Sequence, residues 1–197
     1  MLPAVLLLAV SPAWEPDVAM DYEAVGIDLL APVSGGGPLT PAWAVLRSEG
    51  AAGAFSGVLD GRIAQTGSRG GASLAGGWGI TRSRAHLAVG PAIHGHWTPD
   101  GTVALGPWTT LRLFATTGET SHPQGILDDF RNSELSIEGR VLWWLDGSGP
   151  RVVHRLGWTF GSDFLRTGLT VERPPTPADD RLLVGLRVEV RPTPGVR

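Results

Sequence analysis

Hydrophobic side chains alternate with small or charged ones along most of this chain, at a period of two residues. Only an extended strand sends alternate side chains to opposite faces, so this pattern commits the chain to β structure. From Ala85 to Trp97 one face carries Leu87, Val89, Ile93 and Trp97, and the other His86, Ala88, Gly90, Ala92, His94 and His96. In 134–146, Leu135, Ile137, Val141, Trp143 and Leu145 oppose Glu134, Glu138 and Arg140. In 182–191, Leu182, Val184, Leu186, Val188 and Val190 oppose Arg187, Glu189 and Arg191. Similar runs cover 22–33, 53–65, 71–82, 102–116, 151–161 and 164–173, with a weaker one over 40–48.

Turn chemistry separates these runs. Ser34-Gly35-Gly36-Gly37-Pro38, Ser68-Arg69-Gly70, Pro99-Asp100-Gly101, Asp146-Gly147-Ser148-Gly149-Pro150 and 174–180 all read as reversals. Many short strands with regular turns predict an all-β domain over 14–197, as a sandwich or a closed barrel. The expected form is an antiparallel up-and-down barrel of eight to ten strands. Only 125–132 looks helical, inside a connection over 117–133. With ten strands, tight turns at 49–52, 82–84 and 161–164 share one end of the barrel with both termini, and so does 117–133. Pro91 and Pro107 each remove a ladder donor, and a three-residue loop near 98–100 sets them opposite each other.

Alternation gives two faces without saying which one is inside. A soluble barrel buries the apolar face, whereas a membrane barrel turns it toward lipid. The second face decides for the membrane arrangement. It holds Ala24, Gly26, Ser73, Ala75, Gly77, Gly79, Ala88, Ala104 and Gly106. Small residues are poor strand formers on a solvated face, yet they suit the crowded interior of a narrow barrel. Charges of both signs stand among them, including Asp28, Asp60, Arg62, Arg155, Arg166 and Glu172, and these can pair across a lumen. Arg166 is expected near Arg187 or Glu189 on the next strand. A solvated sheet face is the competing explanation. The apolar face also carries Trp78, Trp97, Trp143 and Trp158, mostly toward strand ends, where indoles meet a membrane interface.

Composition removes other classes. All 16 basic residues are Arg, and the net charge of −3 argues against a nucleic-acid partner. With no Cys there is neither a disulfide framework nor a thiolate metal site. Leu2–Val10 is an apolar run followed by Ser11-Pro12-Ala13, which resembles a secretory signal peptide over 1–13, although no basic residue precedes it.

With that start, the alternation, the small-and-charged face and the Trp placement, the chain resembles the small outer-membrane β-barrel proteins of Gram-negative bacteria. The resemblance covers nearly everything after Ala13 and is architectural. It implies an outer-membrane location, the lipid bilayer as partner, no cofactor, and a filled or nearly filled lumen. The role expected is structural, adhesive, or binding and conducting a small solute. One alternative is a soluble exported barrel, periplasmic or secreted, with an apolar ligand inside. A second is a lipid-modifying hydrolase of the outer membrane.

Candidate chemistry is sparse. His86, His94 and His96 share a face, and with Glu138 and Arg140 they are the candidates for binding in the lumen. Two imidazoles at spacing two could ligate a metal together with a carboxylate from a neighbouring strand, but no HExxH-like motif accompanies them; they read instead as lumen histidines hydrogen-bonded to Ser, Thr or water, and no metal is assigned. Counting back from a two-residue turn at Ser83-Arg84 places Ser73 opposite His94. A hydrolase would also need an acid beside His94, and Ala104 is the neighbour expected there. Asp128, Asp129, Glu119 and His122 sit in the 117–133 connection and read as a solvated loop. Glycines 35–37 and 70–71 do not open helices, which argues against a phosphate cradle.

Overall fold

The computed structural model describes residues 22–33, 42–52, 54–67, 69–82, 85–97, 101–115, 133–162, 164–175 and 181–193. The period-two runs become ten antiparallel strands. These are β1 (Tyr22–Pro32), β2 (Trp43–Ala52), β3 (Phe55–Ala64), β4 (Gly70–Arg82) and β5 (Ala85–Trp97). The other five are β6 (Val103–Ala115), β7 (Ser133–Trp144), β8 (Pro150–Gly161), β9 (Leu165–Arg173) and β10 (Leu183–Thr193). Each pairs with its neighbours in sequence, and β1 pairs with β10, so the sheet closes without an edge. No helix occurs among the described residues.

The registers agree with counting along the sequence. Ser73 pairs with His94, His94 with Ala104, Pro91 with Pro107 and Arg166 with Glu189. The β5–β6 ladder runs unbroken through the facing prolines, while the β4–β5 register is interrupted beside Pro91 and the β6–β7 register beside Pro107. The weak run at 40–48 is β2, which starts at Trp43 and continues to Ala52. The reversal expected at 49–52 is therefore strand, and β3 begins at Phe55, which pairs with Ala52. Residues 151–173 form a hairpin, β8 and β9. In the β7–β8 turn, Ser148 N–H donates to Asp146 Oδ1 at 2.9 Å, while Gly147 and Gly149 take φ of 82° and 88°. The proposed leader 1–13, the helical stretch 125–132 and the acidic loop residues lie outside the described residues.

Strand direction defines two ends. The termini end receives the start of β1, the end of β10 and the short connections β2–β3, β4–β5 and β8–β9. The connection between β6 and β7 also leaves from this end. The loop end carries the other five connections.

The apolar face points outward. Ile27, Leu46, Leu59, Leu74, Ile93, Leu105, Leu156 and Leu186 are all exposed. Trp78 is the most exposed of the large apolar residues at 73%, which no packed core would allow. The ionic face points inward, with Asp28 and Glu189 at 0% and 1% exposure. Aliphatic residues therefore do not form the centre of this barrel. Its buried apolar clusters are built largely from alanine and tryptophan. Ala75, Ala88, Ala92 and Ala104 pack with Trp108, Leu142 and Trp144 along one wall. Leu30, Trp43, Val45 and Leu183 form a separate cluster toward the loop end.

Candidate functional site

The lumen is filled by one connected set of ion pairs. On β2, Arg47 donates from Nε to Glu49 at 2.8 Å and from Nη1 to Asp60 of β3 at 2.9 Å. It also reaches across the barrel to Glu138 of β7. Arg140, two residues along β7, donates to Glu138 at 2.6 Å, to Asp60 at 2.7 Å and to Ser73 at 2.6 Å. Ser73 in turn donates to Asp60 at 3.3 Å.

A second group joins through Glu49. Arg112 of β6 binds Glu49 at 2.6 Å and Glu134 at 2.9 Å. Arg191 links Glu134 to Glu189, the latter at 2.6 Å. Arg187 binds Glu189 at 2.7 Å and Glu49 at 2.9 Å. The third group lies toward β8 and β9. Arg155 binds Asp28 at 2.5 Å and Glu172 at 2.7 Å. Arg62 crosses from β3 to Glu172 at 2.8 Å, and Thr170 donates to Asp28 at 3.0 Å.

The ion pairs named above join seven arginines to seven carboxylates, so among them the charges balance. Taking ions out of water costs several kcal/mol each unless partners compensate. Here most guanidinium groups meet two or more carboxylates, which is the arrangement that compensates. Glu138 and Arg140, read from sequence as binding candidates, are instead held by one another and by Asp60, Arg47 and Ser73. Arg47 and Glu49 were not singled out from sequence, because the run containing them was read as weak and too short. Their period-two spacing was the available signal.

The histidines divide into two places. His86 is fully buried toward the termini end, with Nε2 2.7 Å from Ser56 Oγ. Sequence counting did not pair these two, because Ser56 lies on β3 and His86 on β5. His94 and His96 lie toward the loop end. Their ring centroids are 4.6 Å apart and nearly perpendicular. His96 stacks on Trp144 at 4.9 Å with planes 6° apart. Its Nδ1 lies 3.3 Å from the Gly70 carbonyl, to which it can only donate. Gly71 makes this packing feasible, since a Cβ there would stand 2.8 Å from the Gly95 carbonyl and 3.0 Å from His96 Nδ1.

The Ser73–His94 pairing is one of backbone register alone. Ser73 is engaged with Arg140 and Asp60, and neither ring nitrogen of His94 has a protein hydrogen-bond partner. A nucleophile needs its base within hydrogen-bond reach, so the arrangement gives no support to catalysis at this pair.

The outer wall has its own order. Near the termini end lie Phe55, Trp78, Trp158 and Phe160; Phe55 pairs with Trp78, and Trp158 packs on Phe160 at 5.0 Å. Near the loop end lie Trp97 and Trp143. Eight residues separate Val89, the partner of Trp78, from Trp97, and eight separate Leu135, the partner of Trp158, from Trp143. Eight residues span about 26 Å of strand, or about 20 Å along the axis at a tilt of about 40°. Among the described residues, the outward positions of β2, β3, β5, β6 and β7 carry no Asp, Glu or Arg; the exposed charges on the wall are Glu23 of β1 and Arg173 of β9, the register partner of the outward His154.

Comparison with known protein families, with curated proteins and with solved structures finds no match to this chain.

Proposed function

We propose that this chain is a membrane-spanning β-barrel of the outer-membrane type, with a lumen sealed by ion pairs and a structural rather than conducting role. One observation carries the reading: aliphatic residues cover the outside while charged residues fill the inside. Soluble monomers rarely expose large contiguous apolar surfaces, whereas a lipid-facing wall requires one. The aromatic belts supply the interfacial anchors such a wall uses. Closure supports the same reading, because every backbone group in hydrocarbon must be paired within the protein. A soluble exported barrel with an apolar ligand would need these aliphatics to line its cavity.

The sealed lumen follows from its contents. Arg47–Glu138 and Arg62–Glu172 cross from one wall to the other, and Trp108 and Trp144 occupy the space beside them. No continuous water path suits that filling. The test is fractionation of cells expressing the full chain, followed by gel migration with and without boiling. Release only by detergent, with a band that shifts on heating, is the expected result. Full recovery in the soluble fraction would remove the proposal.

A further inference from the structure

The His94–His96 pair is left over by this reading, since it belongs neither to the ionic network nor to the outer wall. Three observations single it out. First, His94 is completely buried, yet both of its ring nitrogens lack a protein partner. A buried polar group without a partner is costly. Second, His96 has its tautomer fixed by the Gly70 carbonyl at Nδ1, and Nε2 is left as a buried, unpartnered lone pair. A histidine whose other nitrogen donates to a backbone carbonyl is arranged as metal-binding histidines are. Third, the two rings are held in place from the side, by Trp144 stacked on His96 and by the space that Gly71 leaves.

We propose that His94 and His96 form a chelate for one divalent transition ion of the copper or nickel kind, at the loop end of the lumen. Geometry favours this class over zinc. With metal–nitrogen bonds of about 2.0 Å, each ring centroid lies about 3.1 Å from the ion. Where each ring turns one nitrogen to a shared ion, centroids 4.6 Å apart subtend about 95° at it, using that bond length. That is the angle between adjacent ligands in a tetragonal site, the geometry of Cu²⁺ and Ni²⁺. A zinc site wants three or four protein ligands. Among the described residues, no group of three or more His, Cys, Asp or Glu is arranged to hold an ion. A tetragonal ion can take its remaining ligands from solvent, and His96 is only half-buried. The cations that act on His94 are Arg62, which pairs with Gly71 beside the site, and Arg140; their charges are matched by Glu172 at 2.8 Å and by Glu138 and Asp60 at 2.6 and 2.7 Å. The site does not depend on what surrounds the outer wall.

The test is titration of the folded full chain in detergent, in a non-coordinating buffer, with Cu²⁺ and separately with Ni²⁺ and Zn²⁺. One Cu²⁺ per chain is expected, with an electron paramagnetic resonance spectrum showing two nitrogen ligands. His96→Gln should weaken binding by about tenfold or more, and His94→Gln should do the same. His154→Gln, on the outer wall, should leave it unchanged. His96 lies at the half-buried rim, so its variant keeps the test open if His94→Gln does not fold. No binding by the native chain, or equal binding by His96→Gln, would overturn the proposal. Zinc bound more tightly than copper would overturn the tetragonal assignment.

Discussion

Replacing Ile93 by arginine tests the orientation of the whole wall. Ile93 points outward on β5 and is 44% exposed. It lies four residues from Trp97 and four from Val89, the register partner of Trp78, so it sits midway between the aromatic belts. If hydrocarbon surrounds that level, a guanidinium there costs about 2–4 kcal/mol, falling to about 0–1 near the interfaces. Val103, exposed and paired with Gly95 near the loop end, supplies the interfacial comparison. If water surrounds the barrel, both changes are surface substitutions within about 0.5 kcal/mol. The difference between the two sites therefore carries the information. We expect Ile93→Arg to lower the folding constant about 30- to 1000-fold in lipid vesicles, and Val103→Arg at most about fivefold. Urea unfolding in vesicles, read by the heat-sensitive gel band, measures both. Equal and small effects at the two positions would refute the reasoning.

Further outcomes follow from the interior. Arg140→Ala leaves Asp60, Glu138 and Ser73 short of a shared donor, and should cost about 3–5 kcal/mol in urea unfolding. Because the pairs are buried, raising salt from low to molar concentration should change that unfolding midpoint little. Gly106→Ala drives a Cβ into the Val141 carbonyl and should cost about 1–3 kcal/mol. At Gly61 a Cβ meets nothing within 4 Å, so Gly61→Ala should be neutral or slightly stabilising in the same assay. In planar bilayers the native chain should give no steady conductance; a stable open level would contradict the sealed lumen.

Much of this arrangement was legible before any coordinates. Alternation gave the strands, and counting through turns gave the partners of Ser73 and Pro91 and narrowed that of Arg166 to Arg187 or Glu189, of which the register takes Glu189. Those inferences succeed because strand spacing is fixed and a one-residue slip would move every side chain to the wrong face. Two kinds of fact stayed hidden. Contacts across the lumen, such as Arg47 with Glu138, depend on barrel diameter and strand tilt, which sequence spacing does not encode. Choices among equivalent partners stayed hidden too. Ser73 stands opposite His94 in register, yet two charged neighbours, Arg140 and Asp60, take its hydroxyl. A charge-assisted bond is roughly twice as strong as a neutral one, so the serine goes to the ions and the histidine is left aside.

That outcome bears on what holds the barrel together. Its interior is ionic, and a buried ion pair is weak grounds for stability, because desolvation offsets much of the attraction. The buried apolar clusters are small and separate, and alanine, which contributes little area per residue, stands in the main one beside a few large side chains such as Trp108, Leu142 and Trp144. The large aliphatic surface that usually drives folding is on the outside, where water would give no reward for closing the sheet. On this account the ion pairs select one closed register, since each guanidinium must find its carboxylates on particular strands, while a surrounding apolar medium stabilises the wall. The two roles are separable by experiment. A lumen variant such as Arg140→Ala should destabilise the barrel in detergent and in lipid alike, whereas moving the native chain from lipid to plain buffer should unfold or aggregate it with every ion pair intact in sequence. A chain that stays monomeric and folded in plain buffer would show that the interior suffices, and the division of labour argued here would fall.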